Sequence, residues 1–140
     1  MIILNILHNK YPYFATLTEI NNIFIPNSTN FNIREFSEDR LQLYEDILTD
    51  LFFKIDTIES QDELLTSILT TVSIIIFSQP FCDGNSRTAK TFLNILLTNL
   101  GYKFSYDFDS FIIPIFYNED EKCDVEDLKK FKNKVKLKKR

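Results

Sequence analysis

The chain has 140 residues, 44% of them hydrophobic, and 14 Phe with six Tyr supply bulk in the absence of Trp. That is enough for one domain with a core. No apolar run reaches the length of a membrane span, and the separated Cys82 and Cys123 make no disulfide framework. The net charge of −4 conceals an asymmetry: residues 1–128 hold eight basic and all 20 acidic side chains, a balance of −12, while the tail 129–140 carries +8. An acidic body argues against a nucleic-acid-binding domain, and the basic tail suits a last helical turn and a solvated end.

Along the chain, residues 2–13 suggest a helix with Ile3, Ile6 and Leu7 on one face and Pro12 near its end. Residues 16–36 are rich in β-branched and aromatic side chains. Ile23-Phe24-Ile25 and Phe31-Asn32-Ile33 flank the polar run Pro26–Asn30, which predicts a β-hairpin over about 18–35. Ser37 is placed as an N-cap, followed by Glu38 and Asp39 and then by Leu41, Tyr44, Ile47, Leu48 and Leu51 at helical spacing. Ser60-Gln61-Asp62-Glu63 has the capping-box pattern and opens an apolar helix, expected to be the central one. A helix from about Arg87 to Leu100 follows, with Gly101 as its stop. Segments 107–117 and 125–135 predict two more helices, the first disturbed by Pro114. The expected architecture is mainly α, a helical bundle with one β-hairpin, forming a single domain over residues 1–140.

Between the two apolar helices lies Gln79-Pro80-Phe81-Cys82-Asp83-Gly84-Asn85-Ser86-Arg87-Thr88-Ala89-Lys90, which holds one of only two glycines. Gly84 permits a sharp turn or the close approach of a ligand. Amides from Gly84 to Arg87 at a helix N-terminus form an anion-binding nest. Arg87 adds a bidentate cation, and Asp83 suits a Mg²⁺ shared with phosphates. The competing reading is an ordinary Asp-Gly-Asn turn in which Asp83 or Asn85 caps the next helix.

The string resembles the signature of the Fic (Fic/Doc) family: His, any residue, Phe, any residue, Asp or Glu, Gly, Asn, Gly, Arg, two residues, Arg. Phe81, Asp83, Gly84, Asn85 and Arg87 match it, Pro80 is a common choice at its free position, and the resemblance covers about residues 5–135. It implies a helical fold that binds ATP with Mg²⁺ and transfers AMP to a target protein's hydroxyl. By position, Phe81 is then a core anchor, Asp83 holds Mg²⁺, Gly84, Asn85 and Ser86 cradle phosphates, and Arg87 contacts the outer phosphates. The upstream hairpin takes the place of the family's target-docking flap, with Ile23, Phe24 and Ile25 as docking residues.

Three positions depart from the pattern. Gln79 stands where the family has its proton-accepting His, Ser86 replaces Gly, and Lys90 keeps the charge but not the fork of the second Arg. In the Doc branch, which phosphorylates its target, a larger residue also occupies the position of Ser86. The only histidine, His8, lies far away in sequence. The family's autoinhibitory pattern is absent, which points to control by a separate, antitoxin-like partner. The resulting expectation is an AMP transferase impaired or altered by Gln79. A catalytically dead binding module and a Doc-like phosphotransferase are the alternatives. The cytoplasm, or delivery into a host cell as an effector, is the expected location.

Overall fold

A computed structural model of the chain describes residues 2–26, 33–34, 37–103 and 138–139. Five helices carry the fold: α1 (Ile2–Lys10), α2 (Pro12–Phe24), α3 (Glu38–Thr57), α4 (Gln61–Ser78) and α5 (Asn85–Asn99). The segments 107–117 and 125–135, expected to be helical, lie outside the described residues. Tyr102–Lys103 (β1) pairs antiparallel with Lys138–Lys139 (β2).

Helix starts follow local chemistry. The Ser37 hydroxyl accepts from the Arg40 N–H at 3.1 Å, and the Ser60 hydroxyl accepts from the Glu63 N–H at 3.4 Å. Both caps satisfy N–H groups that a helix leaves unpaired, and Glu38, Asp39, Asp62 and Glu63 add the favourable first-turn charge. Pro12 does not end a helix. It begins α2, because a missing N–H costs nothing in the first turn.

That start overturns the hairpin. Residues 12–24 are one helix, so Ile23 and Phe24 are its last turn and Ile25 is its C-cap, with the Ile25 N–H bonded to the Asn21 carbonyl at 2.9 Å. The buried positions Phe14, Leu17, Thr18 and Asn21 recur at i, i+3, i+4 and i+7, a helical face that outweighs β-rich composition. The expected turn and most of the second strand, residues 27–32, lie outside the described residues. Of that strand Ile33 makes a single antiparallel bridge to Phe81, and the Arg34 N–H donates to the Pro80 carbonyl at 2.8 Å.

Helices α2, α3, α4 and α5 close a ring, each packed on the next and α5 back on α2, while α1 lies outside against α2. With neighbours α1, α3 and α5, α2 is the hub, not α4 as its apolar composition suggests. The interior holds Phe14, Leu17, Leu48, Leu51, Ile68, Val72, Phe81 and Leu93, each at most 1% exposed. Full burial of each such side chain contributes about 1.5–3 kcal/mol. On α1, Leu7 is buried but Ile6 is half exposed, so the expected shared face is not kept.

One acid belongs to this framework. Glu45 is 6% exposed, and its carboxylate accepts from the Tyr13 N–H at 2.7 Å and the Phe14 N–H at 3.1 Å, capping α2 from α3. Burial pushes its carboxyl above the ordinary value of 4.5. The Phe14 and Tyr13 N–H bonds oppose that shift, and Asp46 adds to it. A folded value above the unfolded one means that the native state binds the proton more tightly. The contribution is therefore full below the unfolded value and is lost as pH rises from there through the raised native value. We expect the melting temperature of the wild type, measured against Glu45→Gln, to gain as pH falls from neutrality to below 4.5. A difference that stays constant over that span contradicts the assignment.

Candidate functional site

The reversal between α4 and α5 is built from two left-handed residues. Gln79, the C-cap of α4, has φ 48° and ψ 66°, and Gly84, the N-cap of α5, has φ 75° and ψ 16°. Between them the buried Phe81 anchors the loop, its ring stacked on Phe14 at 5.8 Å between centroids.

Gly84 is demanded by its surroundings as well as by its dihedral. A Cβ there would lie 3.0 Å from Ile25 Cγ1 and 3.2 Å from Asn21 Nδ2. The close approach is thus the end of α2, and the residues expected as docking strand serve as packing. Ile25 abuts Gly84, and the Phe24 ring lies 5.6 Å beneath the Arg87 guanidinium. Ile23 is 72% exposed.

Asn85 has a structural task. Its Oδ1 accepts from the Phe81 N–H at 2.9 Å, and its Nδ2 donates to the Phe81 carbonyl at 2.8 Å. The side chain stands in for a β-strand neighbour and closes the loop. The Asp83 Oδ1 accepts from the Gly84 N–H at 2.8 Å, which removes that amide from the expected nest. Among the described residues no group of three or more His, Cys, Asp and Glu converges to hold a metal. A Mg²⁺ here would rest on Asp83 and on oxygens brought by its ligand.

What the structure does bring together is a cleft of about 340 Å³ lined by Gln79, Cys82, Asp83, Gly84, Asn85, Ser86 and Arg87. Gly84 offers no side-chain cap to α5, so the first-turn N–H groups and the helix dipole are not engaged by their own N-cap residue. Ser86 and Arg87 are exposed beside them. Lys90 is outside the lining, one turn further along α5. His8 is remote in role as well as in sequence: its Nε2 is 2.7 Å from Glu19 Oε1.

Sequence reasoning missed Asn21. It is fully buried on α2, and its Nδ2 donates to the Asp83 carbonyl at 2.9 Å and to the Thr88 hydroxyl at 3.1 Å, tying α2 to the loop and to α5. The available signal was an amide on the face made by Phe14, Leu17 and Thr18. The chain matches no protein-family model, and no curated protein or solved structure is significantly similar to it.

The two left-handed residues respond oppositely to substitution. Gly84→Ala combines an unfavourable φ with a backed-up Cβ and should cost about 1–3 kcal/mol. Gln79→Gly relieves a left-handed non-glycine residue and should be neutral or stabilising by about 1 kcal/mol. Urea unfolding of both variants checks the pair, and equal losses would contradict the loop geometry.

Proposed function

We propose that the chain is a Fic-like protein that binds a nucleotide triphosphate with Mg²⁺ in the cleft at the start of α5, and that its capacity for AMP transfer is impaired by Gln79. The observation that carries this reading is the convergence of Gln79, Asp83, Ser86 and Arg87 on one cleft at the N-terminal turn of α5. Each component has a chemical task. The first-turn amides and dipole suit phosphate oxygens, Arg87 suits the outer phosphates, and Asp83 suits the metal. Bound Mg²⁺ would neutralise phosphate charge and orient the reacting phosphate.

Gln79 sits at the rim of that cleft with an amide side chain. An amide can orient an attacking hydroxyl through hydrogen bonds but takes no proton from it. General-base assistance contributes about 10²–10⁴-fold, so its loss leaves a slow enzyme or none. Gln79 itself supports the second reading, a nucleotide-binding module without transfer. A Doc-like phosphotransferase remains distinguishable by the group transferred. The acceptor is a hydroxyl on a partner protein. The strand-like flap, overturned by the helical course of residues 12–24, has no part in this reading.

Calorimetry with Mg-ATP should give saturable binding that weakens by about tenfold in Arg87→Ala, in line with loss of a charged hydrogen bond. An absence of heat at millimolar ATP removes the nucleotide reading. For Gln79→His, incubation with cell lysate and ATP labelled at either the α or the γ phosphate should show transfer raised by about a hundredfold or more. Label from the α position means AMP transfer and label from the γ position means phosphorylation. A variant that binds ATP and transfers neither supports the binding module.

A further inference from the structure

We propose that a second cleft, on the other side of Gln79, is a binding site for the oxyanion of a small acid with an apolar body. This cleft, about 290 Å³, lies between α2, the start of α3 and the Ile33–Arg34 segment. That volume is close to the lower end of small-ligand sites, about 300 Å³. The buried side chains of Phe14, Ile33, Leu41 and Tyr44 are among its lining residues. Its charged residues among those described are Arg34 and Arg40, although residues 1–128 carry a balance of −12.

Tyr44 supplies the independent observation. The residue is 6% exposed, and its buried hydroxyl has no hydrogen-bond partner among the described residues. An unsatisfied buried hydroxyl costs about 1–3 kcal/mol, so a native structure normally gives it a partner. The Arg40 guanidinium lies 5.8 Å from the centroid of the same ring. Arg34 Nη1 is 3.4 Å from Gln79 Oε1, a long bond to a neutral acceptor. The Arg34 guanidinium donates only and the Tyr44 hydroxyl has a proton to give, so the matching ligand group is an acceptor. A carboxylate or a phosphate fits, and the side chains of Phe14, Ile33 and Leu41 beside it suit a small hydrocarbon or aromatic body.

The site uses none of Asp83, Ser86 and Arg87, so the inference stands apart from the nucleotide reading. Gln79 is the wall that the two clefts share.

Calorimetry of the full chain with benzoate, and separately with inorganic phosphate, tests the site. We expect saturable binding that falls by about tenfold or more in Arg34→Gln and about two- to tenfold in Tyr44→Phe. It should persist in Arg87→Ala. Binding of benzoate alone assigns the carboxylate form and binding of phosphate alone assigns the phosphate form. Either supports the site if Arg34→Gln weakens it. Should Tyr44→Phe lose helix content, Arg34→Gln, a change at an exposed residue, carries the test alone. Binding of neither probe, binding indifferent to Arg34→Gln, or binding lost in Arg87→Ala overturns the proposal.

Discussion

The burial of Phe81 at a chain reversal is the constraint on which both clefts depend. A loop between two helices normally runs over the surface, because its backbone groups need partners. Here Phe81 enters the core against Phe14, which in turn stacks on Tyr44 at 5.3 Å. The backbone that comes inward with it is satisfied by the Asn85 amide at both its N–H and its carbonyl. Entering and leaving this buried point requires the two left-handed residues, Gln79 and Gly84. The exposed part of the loop is thereby presented as a fixed rim, and the aromatic stack continues beneath the neighbouring cleft.

Helix α2 holds that reversal in place from the opposite side. Phe14 near its start receives Phe81, Asn21 in its last turns binds the Asp83 carbonyl and the Thr88 hydroxyl, and Ile25 at its end abuts Gly84. Glu45 fixes the start of the same helix from α3. A displacement of α2 would therefore be felt at α3, at the loop and at the first turn of α5 together. This makes Asn21 and Glu45 positioning residues for a site that neither lines.

The string around Gly84 thus serves two ends at once. Gly84 and Asn85 are accounted for by packing and backbone bonding, with the Asn85 side chain closing the loop on Phe81 where the ordinary-turn reading has it cap the next helix. Asp83, Ser86 and Arg87 lie exposed around a helix start whose N-cap, Gly84, has no side chain, and an anion is electrostatically favoured there. Gln79 belongs to both descriptions, as a left-handed helix terminus and as the residue between two clefts.

The sequence by itself determined what depends on near neighbours. The caps at Ser37 and Ser60, the apolar spacing of α3 and α4, the reversal at Gly84 and the stop at Gly101 are all set within a few residues, so they are legible along the chain. Residues 79 and 82–87 of the string 79–90 also line one cleft. Tertiary structure decided the rest. Pro12, read as lying near a helix end, is a start, and only the fit of Phe14, Leu17, Thr18 and Asn21 into the ring of helices makes residues 12–24 a helix where their composition favours strand. The burial of Asn21 and Glu45 depends on partners that arrive from positions 83 and 88, and from 13 and 14. Arg40 and Tyr44 share an i, i+4 spacing on α3, but Arg34 joins their cleft only across the fold, where Ile33 bridges to Phe81. Local chemistry fixes how a segment starts and stops, whereas the choice of which polar groups are buried requires partners that only packing can bring.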